Sequence, residues 1–379
     1  MVIQLLKKHC LGMLQMDIKP IHKIKVNFYS VVPSPYQRDL FFELSRCPEV
    51  ELHVFYLEPA CSDSPWPEKP LQPYEHILPG FHLAWGISRF HINWYLPNIT
   101  QSDVVVLNGY MSVTAQLLLR LQAQQIPCVF WGEKMAGAFG GLKGTLQQTL
   151  ATGLNNCSAI AAIGSQAMQD YQRRFPEKPI FNIPYYCSLT AFSQEIPPRP
   201  RTLPTILFCG QMIARKGVDL LLLAFDRLIQ MGLKARLLLV GREADLPHML
   251  IALSDKTRKN IEYAGFQAPE DLPHFFRQAD LFVLPSRYDG WGVVVNQAIG
   301  AGLPVICSDA VGAAHDLIDQ GINGYIFRNS DVDTLTQILA RYLQNPILIQ
   351  KASSASLQKS LAWSPKAGAQ RWVDAFYQL

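Results

Sequence analysis

The chain has 379 residues, of which 49% are hydrophobic and 17% are charged. This length predicts two domains, because a single hydrophobic core stops growing near about 250–300 residues. The apolar content excludes a disordered chain. A formal net charge of +4, without any Lys/Arg-rich run, is too weak to indicate nucleic-acid binding. A mildly basic enzyme that acts on anionic small molecules fits the same figures.

The eight cysteines contain no CxxC pair, and most of them lie in apolar runs. We therefore expect free thiols in a reducing compartment, the cytoplasm, with contact to a membrane surface left open. The histidines are equally scattered and show no HExxH or HxH spacing, so no metal site is expected.

Two apolar stretches need a separate interpretation. Residues 1–22 are predicted to be an N-terminal extension rather than a signal peptide, because Lys7 and Lys8 interrupt the apolar start, and Met13 or Met16 could be the true start. Residues 290–308 carry no charge and are nearly long enough to span a bilayer. Their four glycines, together with Asn296 and Pro304, instead indicate a buried turn, strand and helix.

In residues 23–193, short β-branched runs alternate with helical stretches, which is typical of a doubly wound parallel sheet. Ser34 is a plausible N-cap of the first helix, since a proline follows it. Residues 60–79 are predicted to be a surface loop. The predicted strands are 24–31, 51–57, 103–107, 127–131 and 157–163, and the predicted helices are 35–46, 113–125 and 165–175.

The second half repeats the pattern after residues 194–204, whose four prolines indicate a stiff interdomain linker. Residues 205–356 are predicted to form the second domain, and residues 357–379 a last helix. Two Rossmann-like halves should leave a cleft where the carboxyl ends of their strands face each other. The predicted strands are 205–209, 236–240, 261–264, 281–284 and 304–308, and the predicted helices are 217–231 and 294–300.

The sequence GQMIARKGVD, residues 210–219, follows a predicted strand and opens a predicted helix. Free backbone N–H groups and the positive end of a helix dipole would suit a phosphate there. Arg215 and Lys216 would add formal positive charge. The alternative is a solvated loop that merely carries two basic residues.

A second turn, residues 285–298, also joins a strand to a helix. Gly290 and Gly292 would allow backbone amides to approach a ligand closely, and Asp289 would place a carboxylate at the cleft. The alternative is an ordinary helix start in which Asp289 bonds only backbone amides.

Residues 203–345 closely resemble glycosyltransferase family 4, the retaining, nucleotide-sugar-dependent transferases of GT-B fold. LFCGQMIARKGVDLLLLAF is similar to the phosphate loop of that family, and PSRYDGWGVVVNQAIGAGLPVICSDAVGAAHDLI is similar to its donor signature. PSPY at residues 33–36 and AIGS at residues 162–165 extend a fainter resemblance into the first half. The closing AWSPKAGAQRWVDAF resembles the last helix of the family, which crosses back to the first domain.

The resemblance implies an α/β GT-B architecture in which two Rossmann-like domains face a cleft. It implies that Lys216 and Arg215 hold the donor diphosphate, that Asp289 contacts the donor sugar, and that Glu133 faces this sugar from the first domain. We regard these four residues as the candidate catalytic residues. The implied donor-binding residues are Gly210, Gln211, Gly217, Gly290, Trp291, Gly292, Val293 and Gln297.

Three positions depart from the family pattern. Gln211 stands where many members have arginine, and Asp289 is one methylene shorter than the usual glutamate. Gln297 replaces a glutamate that binds the ribose hydroxyls, which would weaken nucleotide binding.

The function implied is transfer of a hexose, with retention, from a nucleoside diphosphate sugar to a hydroxyl group of a carbohydrate, lipid or small-molecule acceptor. No metal or other cofactor is implied, and the oligomeric state stays open. The alternatives are a nucleotide-sugar epimerase of the same fold, or a weakly active or non-catalytic nucleotide-sugar-binding protein.

The acceptor side of the first domain is less well defined. The glycine-rich residues 136–144 could form a mobile loop there or an ordinary connection. Four aromatic residues could line an acceptor groove or belong to the core, namely Trp85, Trp94, Tyr95 and Tyr110.

Overall fold

A computed structural model describes residues 23–60, 66, 69–85, 88–94, 101–123, 125–135, 141–194, 201 and 203–379. The expected N-terminal extension, most of the expected linker, and Tyr95 lie outside the described residues.

The first half forms a seven-stranded parallel sheet in the order β3-β2-β1-β6-β7-β8-β9. The chain reverses its direction of strand addition between β1 and β6, which makes the carboxyl ends of these strands the expected ligand position. β4 and β5 form a separate antiparallel hairpin. The strands are β1 Ile24–Ser30, β2 Val50–Tyr56, β3 Glu75–Ile77, β4 Gly80–Trp85, β5 Ser88–Asn93, β6 Val104–Leu107, β7 Cys128–Gly132, β8 Ala159–Ala162 and β9 Ile180–Asn182.

Helices connect the parallel strands. They are α1 Pro35–Ser45, α2 Val113–Leu117 with a π-helical continuation Leu118–Gln122, α3 Gly141–Ala151 with a 3₁₀ turn Thr152–Asn156, α4 Ser165–Arg174 and α5 Thr190–Ser193.

Three expectations for the first half need correction. The predicted surface loop 60–79 contains β3, and the end of the glycine-rich stretch is helical from Gly141 onward. Ser34 occupies the N-cap position of α1, but its hydroxyl donates to Oε1 of Gln37 at 3.0 Å and does not cap the helix backbone.

The second half forms a six-stranded parallel sheet in the order β12-β11-β10-β13-β14-β15. Its strands are β10 Thr205–Cys209, β11 Arg236–Val240, β12 Ile261–Tyr263, β13 Leu281–Leu284, β14 Val305–Ser308 and β15 Gly324–Phe327. Its helices are α6 Val218–Gln230, α7 Leu246–Ile251, α8 Asp255–Arg258, α9 Leu272–Gln278, α10 Val294–Gly300, α11 Ala314–Leu317, α12 Val332–Gln344 and α13 Pro346–Ser360.

The last helix, α14 (Pro365–Phe376), packs against α1 of the first half. The Trp372 ring contacts the rings of Phe28 and Trp131 edge-on, with centroid distances of 5.1 and 5.4 Å. The crossing helix begins at Pro365 rather than at the predicted residue 357, because α13 still packs on α10 of the second half. The expected α/β fold, with two Rossmann-like halves and a C-terminal helix that returns to the first, is confirmed.

The apolar residues 290–308 form a turn, the helix α10 and the buried strand β14, as predicted. Within the described ranges, no helix combines the length and the apolar character needed to cross a membrane. The cysteines in those ranges are free thiols, and four of them are buried.

Candidate active site

The loop after β10 is held tightly against the end of β13. It contains a 3₁₀ turn, Ala214–Lys216, and then Gly217 with φ = +70°, which begins α6. A Cβ added to Gly217 would lie 1.9 Å from the carbonyl oxygen of Pro285, so a larger residue could not fit. Glycine thus allows the loop after β10 and the loop after β13 to contact each other at the sheet edge.

Asp289 is fixed in the second loop by its backbone. Its N–H donates to the Ala310 carbonyl at 3.0 Å, and its own carbonyl accepts from the Gly312 N–H at 3.0 Å. The Asp289 carboxylate accepts from Lys216 Nζ at 2.5 Å, while no side chain caps the start of α10. The alternative of a simple helix-capping aspartate is therefore wrong.

The Lys216–Asp289 pair joins the two predicted loops. The side chains are only 17% and 12% exposed, so the pair is largely shielded from water. Such shielding strengthens the attraction between the charges but also makes either charge costly to leave alone.

Arg215 is oriented differently from its neighbour. Its guanidinium donates to the Tyr288 carbonyl at 3.1 Å, and its carbonyl accepts from the Arg287 N–H at 2.8 Å. Arg215 is exposed at the same edge as Lys216, where its charge remains available to an anion.

Arg287 also stabilises the site, although no role was predicted for it from the sequence. Its two terminal nitrogens bind the two carboxylate oxygens of Asp219 at 2.7 and 2.6 Å. This bidentate pair clamps the loop after β13 to the first turn of α6. The two residues are far apart in sequence and follow no motif, so pattern alone could not pair them.

Glu133 follows β7 in the first half, and its side chain contacts the second loop. A Cβ added to Gly290 would lie 1.7 Å from Oε2 of Glu133, so the Glu133 carboxyl group packs directly on the Gly290 backbone. The Tyr171 hydroxyl donates to the Glu133 carbonyl at 2.6 Å and fixes this backbone. The structure thus brings four of the predicted residues together, namely Lys216, Asp289, Gly290 and Glu133.

Burial raises the pKa of Glu133 from 4.5 to about 7, and the negative charge of Asp289 contributes to the same rise. Lys216 and Arg215 act in the opposite direction and lower the pKa. A carboxyl group with this pKa exists in both protonation states near neutral pH, which is typical of groups at functional sites.

Tyr36, at the start of α1, belongs to the same electrostatic environment. Burial raises the pKa of its hydroxyl, and the charges of Glu133 and Asp289 raise it as well. In the sequence, Tyr36 is only part of the PSPY resemblance, and no role was predicted for it.

The remaining predicted donor-binding residues lie on the two loops, apart from Gln297 in α10. A Cβ on Gly241 would meet the Gly210 carbonyl at 1.9 Å, so the loops after β10 and β11 are in contact. Gly292 has φ = +90°. Gln211, Val293 and Gln297 are half-buried, and Gln297 lies one turn inside α10.

Trp291 lies on the second loop, but its side chain is buried. Its indole is 1% exposed, its Nε1 donates to Asn296 at 2.9 Å, and its ring lies against Gly164 of the first half. A Cβ on Gly164 would be 2.4 Å from this ring. The Trp291 side chain therefore belongs to the contact between the halves, and only its backbone lies on the turn that was predicted to bind the donor.

Two further contacts between the halves were not predicted. Oδ2 of Asp316 accepts from both the N–H and the hydroxyl of Ser165 at 2.9 Å, which caps α4 of the first half. The Tyr288 hydroxyl donates to the Lys134 carbonyl at 3.1 Å.

A cavity of about 560 Å³ lies in the first half, beside Glu133. Tyr110 lines it, as the sequence allowed, whereas Trp94 does not line it and is 68% exposed. The side chain of Trp85 lies outside the described part of the chain. Next to the cavity, Nε2 of Gln37 donates to Oδ1 of Asn108 at 2.8 Å, and Nδ2 of Asn108 donates to the Trp131 carbonyl at 3.0 Å.

In the part of the chain that the structure describes, no group of three or more His, Cys, Asp or Glu side chains is arranged to hold a metal ion.

Comparison with solved structures defines the class of fold. The chain is similar to sucrose-phosphate synthase from Thermosynechococcus elongatus, with a TM-score of 0.71, 17% identity, and coverage of 94% of this chain and 99% of that one. It is also similar to HepE of Anabaena in complex with UDP, with a TM-score of 0.69, 14% identity, and coverage of 94% and 100%. The fold is that of the GT-B glycosyltransferases.

Sequence comparison adds similarity in the second half. Residues 191–359 match the family described as glycosyl transferases group 1. Over 172 residues the chain is 28% identical to the GDP-mannose-dependent monoacylated alpha-(1-6)-phosphatidylinositol monomannoside mannosyltransferase of Corynebacterium glutamicum, covering 43% of this chain and 44% of that one. The chain thus spans less than half the length of this curated relative. The chain therefore has the GT-B fold, and most of its second half is similar to the glycosyl transferases group 1 family.

Proposed function

We propose that this protein transfers a hexose from a nucleoside diphosphate sugar to a hydroxyl group of a carbohydrate, lipid or small-molecule acceptor, with retention at the anomeric carbon. The observation that carries the proposal is the meeting of Lys216, Asp289 and Glu133 at one point between the halves. The names of the relatives support a nucleotide donor, since one is GDP-mannose-dependent and one solved neighbour holds UDP.

The cations would bind the donor diphosphate. Lys216 and Arg215 lie directly before α6, a helix of 13 residues whose N-terminus carries a partial positive charge. As the glycosidic bond breaks, negative charge grows on the diphosphate, and fixed positive groups stabilise this charge more in the transition state than in the ground state. The protein's own cations would serve here without a metal ion.

The proposed transfer needs no covalent intermediate between the sugar and the protein. The bond between the anomeric carbon and the diphosphate oxygen breaks, and its electron pair leaves with the diphosphate. The acceptor oxygen forms a new bond to the anomeric carbon on the same face, and its proton moves to a diphosphate oxygen. Because the carbon is attacked from the side that the leaving group vacates, the anomeric configuration is retained.

The two carboxyl groups would act on the sugar. Asp289 would accept a hydrogen bond from a sugar hydroxyl once the diphosphate becomes the partner of Lys216. Glu133, when ionised, would place a negative charge near the positively charged oxocarbenium-like carbon. Gln297 would meet the ribose hydroxyls with one acceptor oxygen and one donor NH₂ group.

A donor panel tests this function. The protein is incubated with UDP-, GDP-, ADP- and TDP-sugars without an acceptor, and the products are followed by NMR. Slow release of the nucleoside diphosphate, with the sugar first appearing as the anomer of the donor, is the expected result. Inversion at C2 would indicate an epimerase, and tight binding without turnover would indicate a binding protein.

A further inference from the structure

The backbone that carries Glu133 is held at three successive carbonyl groups, those of Trp131, Gly132 and Glu133. The Gly132 carbonyl accepts from a backbone N–H next to β8 at 2.9 Å, as in an ordinary parallel ladder. The other two accept from side chains. Nδ2 of Asn108 donates to the Trp131 carbonyl at 3.0 Å, and the Tyr171 hydroxyl donates to the Glu133 carbonyl at 2.6 Å. Two side chains therefore hold the end of β7 on either side of Gly132.

The orientation of the Asn108 amide is set by a buried polar network at the carboxyl end of β1. The hydroxyls of Ser30 and Ser34 donate to Oε1 of Gln37 at 2.7 and 3.0 Å. Nε2 of Gln37 is then the donor to Oδ1 of Asn108 at 2.8 Å, so Nδ2 of Asn108 faces the Trp131 carbonyl. Ser30, Ser34 and Gln37 are at most 3% exposed, and a buried network with its partners in place favours a single geometry.

Tyr171 holds the other side and connects it to the second half. A Cβ added to Gly132 would lie 2.8 Å from the Tyr171 hydroxyl oxygen, so glycine allows this hydroxyl to reach the Glu133 carbonyl. Tyr171 lies on α4, whose start is capped by Asp316 of the second half through Ser165. The packing of the halves that brings Glu133 to the second loop thus also fixes the helix that holds its backbone.

The Glu133 carboxyl group needs this support because its ionised form is destabilised where it lies. Burial and the negative charge of Asp289 raise its pKa to about 7, while Lys216 and Arg215 act in the opposite direction. An ionised Glu133 would gain free energy by turning toward water, and the backbone hydrogen bonds oppose this movement. Four tyrosines of the two halves also interact with its charge, namely Tyr36, Tyr171, Tyr185 and Tyr288.

We propose that Asn108 and Tyr171 are positioning residues that hold the Glu133 carboxyl group against the Gly290 backbone, where it faces the donor sugar. The inference rests on the proposed function, because that function places the sugar beside Gly290. It adds two residues that act through Glu133 rather than on a substrate. Both polar atoms of the Asn108 amide have protein partners, which favours this role over the binding of a ligand.

Double-mutant cycles on the full chain test the proposal. Asn108→Ala and Tyr171→Phe are each made in the unmodified protein and in Glu133→Gln, and steady-state release of nucleoside diphosphate is measured. In the unmodified protein each should lower kcat by about 10- to 100-fold, because a small displacement of a reacting group has an effect of this size. The KM for the donor should change by less than about threefold. In Glu133→Gln the same substitutions should change kcat by less than about threefold, because no carboxylate remains to be positioned.

Carbon-13 NMR of protein labelled at glutamate gives a second measurement that does not depend on activity. The carboxyl resonance of Glu133 is assigned by its absence in Glu133→Gln, and its titration gives the pKa directly. In Asn108→Ala and Tyr171→Phe this pKa should fall from about 7 toward 4.5, because a released carboxyl group reaches water. Neither substitution adds a charge that could cause the change.

Matched controls are Asn155→Ala and Tyr377→Phe, because both residues are exposed. They should change neither kcat nor the titration of Glu133. Circular dichroism checks the fold of each variant. Tyr171→Phe removes a single oxygen atom and keeps the ring in the core, so it decides the question if Asn108→Ala does not fold.

Two results would overturn the proposal. One is an unchanged titration of Glu133 in the folded variants. The other is an effect on kcat that is as large in Glu133→Gln as in the unmodified protein; such an effect, with a raised acceptor KM, would instead place Asn108 at the acceptor. If Glu133→Gln leaves turnover unchanged while the titration moves, the result counts against the proposed use of Glu133 in transfer and supports its positioning by Asn108 and Tyr171.

Discussion

Replacement of Lys216 by alanine separates the catalytic from the structural contribution of the Lys216–Asp289 pair. If Lys216 stabilises charge that develops on the diphosphate, its loss should lower kcat by about 10²–10³, the usual effect of removing one well-placed electrostatic donor. The substitution also leaves the Asp289 carboxylate, which is 12% exposed, without its partner at 2.5 Å.

The stability cost follows from this burial. Removing one partner from a fully buried ion pair costs about 3–5 kcal/mol. Because both side chains keep some contact with water, we expect a loss of about 1–3 kcal/mol in the free energy of unfolding. A second substitution, Asp289→Asn, removes the unpaired charge and should recover most of this stability, whereas activity should stay low.

Steady-state release of nucleoside diphosphate and urea unfolding measure the two effects on the same proteins. Lys351→Ala is the matched control, because Lys351 is exposed on α13, and it should change neither quantity. A native circular dichroism spectrum combined with a change in kcat below about threefold for Lys216→Ala would refute the placement at the diphosphate. Recovery of both stability and activity in the double variant would show that Lys216 acts only as a partner of Asp289.

Four other results are expected. Gln297→Glu should tighten binding of the nucleoside diphosphate about five- to thirtyfold in calorimetry, because charge-assisted hydrogen bonds to the ribose replace neutral ones. If the folded variant binds equally or more weakly, Gln297 does not contact the ribose. Activity should persist in EDTA, and a complete loss that Mg²⁺ or Mn²⁺ restores would contradict the use of protein cations alone. Glu133→Gln should reduce turnover more than donor affinity, and unchanged turnover would return Glu133 to a structural role. The pKa of Glu133 is raised from 4.5 to about 7 in the folded state, so the folded protein binds more protons than the unfolded chain between these values, and stability falls as pH rises through this window. At pH 8, the free energy of unfolding in urea should therefore be higher for the Glu133→Gln variant than for the unmodified protein, by up to about 3 kcal/mol. Near pH 4 the two proteins should differ little. Equal stability of the two proteins at both pH values would refute the raised pKa.

The sequence was sufficient for the features that depend on local pattern. The bounds of β10, β11, β13 and α10 agree with the predicted ranges, because buried parallel strands and the helix between them leave continuous apolar runs. The short strands β3, β4 and β5 were missed, since each lies in a proline-rich or mixed segment without clear alternation.

Within the site, the residues on the two glycine-bearing loops could be predicted because glycine and charge mark such turns locally. The contacts between distant segments could not be predicted. Arg287 contacts Asp219 only once β10 and β13 are neighbours in the second sheet. Asp316 caps α4 through Ser165 only when the two halves are packed together. The burial of the Trp291 side chain could not be predicted for the same reason, because the glycine that its ring contacts, Gly164, lies in the other half of the chain.

Glu133 contacts the proposed donor site of the second half from the first half. Its carboxyl group occupies the space beside the Gly290 backbone, and Lys216 is already paired with Asp289. In the proposed function, a donor with its diphosphate at Lys216 and its sugar at Gly290 would replace both contacts, and Asp289 would be released toward the sugar in the same event. The cap from Asp316 and the burial of Trp291 lie outside this point and can persist during the exchange. Under the proposed function, the pair Lys216–Asp289 therefore orients the two side chains, and the donor would take over the role of each partner that it displaces.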